Sequence, residues 1–130
     1  MLAHEDLTYK VRAAATDVHR ELGPGLLESA YEECLCYELS KRSLSFQRQL
    51  SQPVVYKNIK LDCGYRIDLV IENTCVVELK AVTAVSDIFT AQLLTYLKLG
   101  RYPVGLLINF HVPLLKDGIK RLVLSESPRN

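Results

Sequence analysis

No apolar run in this 130-residue chain approaches the ~20 residues that a membrane-spanning helix needs. The stretch MLAHEDLTYKVR at its start has no apolar core of the kind a secretory signal carries, so a cytoplasmic location is expected. An excess of one charge is missing too: 16 Lys and Arg stand against 15 Asp and Glu, a formal net charge of +1. Proteins that coat nucleic acid are much more basic, so any such contact here must be local rather than driven by the bulk field. The four cysteines, Cys34, Cys36, Cys63 and Cys75, include no C-x-x-C pair, which leaves zinc ribbons and thioredoxin chemistry without support. They read as reduced and mostly buried thiols. Internal repeats, low-complexity tracts and linkers are also absent. What is left is an ordinary globular composition, 48% hydrophobic and 24% charged. One domain over residues 1–130 is expected, long enough to bury a core without disulfide or structural metal.

The first third of the chain has helical periodicity. Val11, Ala14, Ala15, Val18 and Leu22 form an apolar stripe over Leu7 to Leu22, and Gly23-Pro24-Gly25 then breaks the helix. A second helix is expected from near Leu26 to about Arg42, with Leu27, Ala30, Tyr31, Cys34, Leu35 and Leu39 on its apolar face. From Phe46 the period shortens. Phe46–Leu50, Val54–Tyr56, Ile59–Leu61, Tyr65–Ile71 and Cys75–Ala81 read as strands separated by turns at Pro53, Lys57-Asn58 and Glu72-Asn73-Thr74. Ser86 or Asp87 caps a third helix that reaches Leu99 and stops at Gly100. Val104–Phe110 is an apolar run short enough for a buried strand, and a last strand lies around Ile119–Leu124. This order predicts an α/β or α+β fold with a central mixed sheet flanked by helices.

Arg66-Ile67-Asp68-Leu69-Val70-Ile71 and Cys75-Val76-Val77-Glu78-Leu79-Lys80 carry the main chemical clue. With the turn centred on Asn73, Asp68 faces Glu78 and Arg66 faces Lys80, and alternation puts Asp68, Glu78 and Lys80 on one face. Ile67, Leu69 and Ile71 then share the opposite, core face with Cys75, Val77 and Leu79. Directly opposed carboxylates are destabilising as structure. They make sense with a cation between them, and a hard ion such as Mg²⁺ takes one or two carboxylates and keeps waters for substrate oxygens. Lys80 would put a compact positive charge beside it, suited to stabilising charge on a phosphate. An amphipathic hairpin with a solvated Glu–Lys contact has the same pattern. Gln92 and Tyr96, four apart, share a face of the third helix. Glu28 sits in the first turn of the second helix, with Tyr31 on its face. An acid there is also favourable for the helix alone. His19 has no neighbouring metal-ligand partner and reads as a structural histidine.

Asp68, Glu78-Leu79-Lys80 and Gln92-x-x-x-Tyr96 together resemble the PD-(D/E)XK nuclease superfamily. The Gln-x-x-x-Tyr element is similar to its lambda-exonuclease-type and related DNA-repair branch. Val18-His19-Arg20-Glu21-Leu22-Gly23 and Gly25-x-x-Glu28-x-x-Tyr31 resemble the small bacterial GxxExxY family, and the likeness extends through Leu107-Ile108-Asn109-Phe110. The resemblance implies a restriction-endonuclease-like core. It implies Asp68, Glu78, the Leu79 carbonyl and Glu28 as metal ligands or near the metal, Lys80 as catalytic lysine, and Gln92 and Tyr96 lining the site. The Pro that usually precedes the first Asp is replaced by Ile67.

The function implied is a Mg²⁺- or Mn²⁺-dependent nuclease hydrolysing DNA phosphodiester bonds, with DNA favoured over RNA. No separate module reads bases, so specificity is expected to be low unless a partner protein supplies it. A homodimer is the other route by which so small a domain extends its surface. The alternative from another class is a catalytically inactive nucleic-acid-binding or assembly subunit on the same fold. A metal-dependent structural protein is a third. Turnover that needs metal, affinity that does not, and stability lost on chelation separate the three.

Overall fold

The structure, a computed structural model, describes residues 4–124. Helices α1 (Glu5–Leu22) and α2 (Glu28–Lys41) are followed by strands β1 (Phe46–Ser51), β2 (Val54–Tyr56), β3 (Ile59–Leu61), β4 (Arg66–Ile71) and β5 (Cys75–Lys80). Helix α3 (Asp87–Gly100), strand β6 (Val104–Asn109), a 3-10 turn (Leu115–Gly118) and strand β7 (Ile119–Val123) complete the order. Five strands form one sheet in the order β1-β4-β5-β6-β7, while β2 and β3 form a separate hairpin. Only β5 and β6 run parallel, because α3 crosses over between them. The architecture is therefore the expected mixed sheet with helices.

Helices cover both faces. Val11, Ala14, Ala15 and Val18 of α1 and Tyr31, Leu35 and Leu39 of α2 pack with Leu69, Ile71, Val77 and Leu79. Leu93, Tyr96 and Leu97 of α3 pack on the other face with Ile67, Val70, Val76 and Leu107. This corrects the expected arrangement of one core face and one polar face, and it moves Ile67 away from Leu69 and Ile71. The reason lies in β1. Gln49 is in the left-handed region at φ 49°, and Gln49 and Asp68 drop out of the β1–β4 ladder between the Arg48–Leu69 and Leu50–Ile67 pairs. Both strands change face there, so Leu50 and Ile67 pack under α3 while Phe46 and Leu69 pack under α1 and α2.

Other expectations shift with tertiary context. Leu22 and Leu27 lie at the ends of their helices and are exposed. Cys36 and Cys75 are buried, and burial raises their thiols to about 11 and about 12, but Cys63 is exposed. Ser86 caps α3, its hydroxyl accepting from Ile88 N–H at 3.2 Å. The left-handed residue ending α3 is Arg101, φ 59°, and Gly100 is its last helical residue. A Cβ on Gly100 would meet the Tyr102 ring at 2.2 Å, so glycine is needed there for space. His19 is structural: its Nε2 lies 2.9 Å from the Val112 carbonyl oxygen.

Tyr31 fixes the start of α2. Its ring stacks on Phe110 with centroids 4.2 Å apart. Its hydroxyl donates to the Gly23 carbonyl at 2.6 Å and accepts from Leu26 N–H at 3.1 Å. The loop that presents Glu28 is thereby tied to the end of β6. Tyr31→Phe keeps the stack and removes both hydrogen bonds, so urea denaturation is expected to show a loss of about 1–2 kcal/mol. Phe110→Ala removes the stack and leaves a cavity, with an expected loss of about 3–5 kcal/mol. Equal stability of Tyr31→Phe and the parent would mean the hydroxyl does not hold the loop.

Candidate active site

The turn between β4 and β5 puts Glu72 and Asn73 in the left-handed region, at φ 54° and 52°, and pairs Ile71 with Cys75. Leu69 then pairs with Val77, so Asp68 is set beside Glu78 as expected, but the ladder stops before reaching them. Where it stops, each carboxylate takes a backbone N–H. Glu78 Oε2 accepts from Asp68 N–H at 2.8 Å, and Asp68 Oδ2 accepts from Leu79 N–H at 2.8 Å. Among the described residues, Glu78 Oε1 accepts no hydrogen bond from protein. Lys80 directs its carbonyl to Phe110 N–H on the β6 side. Alternation then turns the Leu79 carbonyl to the β4 side, where its N–H already points.

A second layer comes from residues the sequence pattern did not single out. Gln49 Nε2 donates to Asp68 Oδ1 at 3.3 Å and to Glu32 Oε1 at 2.8 Å, bridging the two acids. Arg48 holds Glu32 Oε2 through Nε and Nη2, at 3.1 and 2.9 Å, and reaches Glu33 as well. Glu32 is buried in the second turn of α2, and after burial itself its charge raises the pKa of Asp68. Its one sequence signal was its place four residues after Glu28, on the same face of α2. Glu28 itself is exposed, and its charge acts on Glu78.

Lys80 is half-buried and ion-paired with neither carboxylate among the described residues. Its Nζ lies 4.4 Å from the centre of the Phe89 ring on α3. Gln92 Nε2 donates to the Tyr96 hydroxyl at 3.3 Å. Tyr96 is buried, and burial first, then the charge of Glu78, raises its pKa. Tyr65, part of the Gly64-Tyr65-Arg66-x-Asp68 stretch of the family likeness but given no site role by the sequence, meets Tyr96 edge to face at 6.3 Å. Asp68, Glu78, Leu79, Lys80, Gln92 and Tyr96 thus lie in one neighbourhood, with Glu28 at its border.

The family model of the PD-(D/E)XK nuclease superfamily matches residues 5–122. The chain belongs to the PD-(D/E)XK nuclease superfamily. Searches of curated proteins and of solved structures returned no match. The mixed five-stranded sheet between helices agrees with the superfamily fold. Nucleases of this superfamily generally use divalent metals.

The electrostatics of this PD-(D/E)XK domain bear on that metal. Burial, then the charges of Asp68 and Glu28, push Glu78 up to about 8, against the Asp68 N–H and Lys80. Asp68 is raised as well, by burial and Glu32, with the Leu79 N–H, Gln49 and Lys80 opposing. Two partly or fully buried acids short of positive charge are the expected state of a cation site without its cation. No three His, Cys, Asp or Glu side chains among the described residues gather into a closed metal cage. The donors on hand are hard oxygens only: two carboxylates and a strand carbonyl. That set fits a Mg²⁺-type ion, which binds few protein groups and keeps its waters, and does not fit structural zinc.

The sign of the pH effect follows. In metal-free protein, Glu78 binds its proton more tightly folded than unfolded, so the folded state holds extra proton between about 4.5 and about 8. Stability from this group is full below that window and is lost as pH rises through it. Glu78→Gln keeps an oxygen for the Asp68 N–H and cannot ionise. Urea denaturation in EDTA at the two ends of the window should show the parent losing stability with rising pH relative to Glu78→Gln. Parallel curves for the two proteins would contradict the raised value.

Proposed function

We propose that the chain is a Mg²⁺- or Mn²⁺-dependent nuclease that hydrolyses DNA phosphodiester bonds with low intrinsic sequence specificity. The observation that carries this reading is the reciprocal pair: a buried Glu78 and a half-buried Asp68 anchored on each other's strand, with the Lys80 ammonium beside them and ion-paired with neither. Asp68, Glu78 and the Leu79 carbonyl would hold the metal, with Glu28 as an added acid at the border. A bound divalent ion supplies Lewis acidity and a water of lowered pKa.

The chain's own groups do the rest. The Leu79 and Asp68 N–H groups orient the carboxylates before substrate arrives, so no reorganisation is needed during reaction. Gln49 holds Asp68 from the far side. Lys80 offers a point charge to a phosphate on which negative charge is building, and its perch on the Phe89 ring leaves its three donors able to turn toward substrate. Gln92 and Tyr96 would line the wall of the site. The reading includes membership in the GxxExxY family, action in the cytoplasm, and recruitment by a homodimer or partner protein where specificity is needed. No helix among the described residues is long and apolar enough to cross a membrane.

A non-catalytic binder has no use for buried repelling acids, which apolar or amide side chains would replace at lower cost. One variant separates the two. Lys80→Ala is expected to slow single-turnover cleavage in Mg²⁺ about 10²–10³-fold, the usual loss for one donor to developing charge. Binding measured in Ca²⁺ should change little, because the contact strengthens only as charge builds. If the parent cuts nothing in Mg²⁺ or Mn²⁺, and Lys80→Ala only weakens binding and lowers its salt slope by about one unit, Lys80 is a phosphate contact of a binding module.

A further inference from the structure

The Phe89 ring that carries the Lys80 ammonium also lines a groove of ≈ 590 Å³. That is within the roughly 300–1,000 Å³ of sites that enclose a small-molecule-sized group. Its walls include Val54 of β2, Tyr65 ahead of β4, and Ile88, Phe89, Gln92 and Tyr96 of α3. Three walls are shared with the candidate site: Phe89 carries the Lys80 ammonium, Gln92 donates to the Tyr96 hydroxyl, and the Tyr96 ring meets Tyr65. The lining is aromatic and open to solvent, with Tyr65 44% and Ile88 66% exposed. Gln92 supplies an amide, both donor and acceptor, within it.

The segment that supplies Val54 and Tyr65 to the groove differs in charge from the chain as a whole. The segment 53–66 holds Lys57, Lys60 and Arg66 against Asp62 alone, in a protein of net charge +1. The Lys57 ammonium lies over the exposed Tyr56 ring at 5.4 Å. A groove with three aromatic walls, Tyr65, Phe89 and Tyr96, beside a cationic segment complements a polyanion that carries flat apolar rings. It is a poor match for the apolar face of a second protein.

We propose that this groove is a base-stacking subsite that takes an unpaired nucleobase of single-stranded DNA, adjacent to a phosphate at Lys80. The proposal rests on the nuclease reading of the neighbouring site and specifies its substrate. A base inside a duplex has both faces covered by its neighbours, so it reaches Tyr65 or Phe89 only when out of the stack. Every base has such a face, so the subsite selects strand state rather than sequence. Single strands, frayed ends and overhangs are therefore the favoured substrates.

The test is fluorescence anisotropy in Ca²⁺ with a short labelled single strand, the same strand carrying abasic sites, and a blunt duplex. The parent should bind the intact single strand most tightly. Tyr65→Ala should weaken that binding about 5–150-fold, the range for loss of one stacked base, and leave the abasic strand and the duplex unchanged. Ile88→Ser, at an exposed position, is the second variant and should weaken the same substrate in the same direction. Tyr65→Phe should retain affinity. The proposal is overturned if both variants bind the intact strand like the parent, if all three substrates weaken equally, or if Tyr65→Ala breaks a concentration-dependent dimer that fills the groove. Cleavage assays in Mg²⁺ and Mn²⁺ keep the two readings apart. A parent that cuts nothing while Tyr65→Ala loses single-strand affinity overturns the nuclease and leaves the subsite. A parent that cuts, with Tyr65→Ala unchanged on every strand, does the opposite.

Discussion

Two backbone N–H groups left without strand partners, those of Asp68 and Leu79, are the constraint around which this sheet is organised. A buried N–H must find an acceptor. Here the acceptors are the carboxylates of Glu78 and Asp68, each reaching to the other's strand. The exchange holds β4 and β5 together after their ladder has ended. It also commits two acids to a position from which water is largely excluded. Their raised pKa values are the electrostatic cost of that choice, and a bound cation would relieve it.

The surrounding packing keeps the arrangement in place. Phe110 N–H takes the Lys80 carbonyl at 2.9 Å, and the Phe110 ring carries Tyr31. Asn109 grips Val82 from both sides, its Oδ1 accepting from Val82 N–H and its Nδ2 donating to the Val82 carbonyl. The exit of the chain from Lys80 is thus fixed twice at the end of β6, by Phe110 N–H on the Lys80 carbonyl and by the Asn109 side chain on Val82. The entry to α2, and with it Glu28, hangs on the same strand through Tyr31 and Phe110. Site residues from α2, β5 and the segment after it share one rigid support.

Charge is distributed with the same economy. Arg48 pairs with Glu32 and Glu33 and so is committed to structure. Lys80 alone among the cations near Asp68 and Glu78 is held by a ring rather than by an acid. A cation–π contact restrains an ammonium without consuming its hydrogen-bond donors. The near-neutral chain therefore carries a local field: acids at the centre, an uncommitted lysine beside them, and a cationic rim along the β2–β3 hairpin.

Periodicity and local turn chemistry determined most of the element order. The three helices and every strand can be read from spacing, because each face is set within a few residues of chain. The pairing of Asp68 with Glu78 was legible for the same reason: a three-residue turn centred on Asn73 sets the register of its own hairpin locally. The placement of Ile67 was not. Its change of face depends on Gln49 adopting φ 49° in a strand whose only link to β4 is tertiary pairing. Glu32 and Gln49 were hidden likewise, since their contacts to Asp68 exist only after α2 and β1 have packed beside β4. Tyr65 belongs to the Gly64-Tyr65-Arg66-x-Asp68 stretch of the family likeness, but its contact with Tyr96 exists only once α3 has crossed over the sheet. The sequence by itself determined which residue types carry the chemistry and which two strands present them. The tertiary structure decided how deeply they are buried, which acids surround them and which lysine remains uncommitted, because desolvation and charge are properties of the assembled neighbourhood, not of residue spacing.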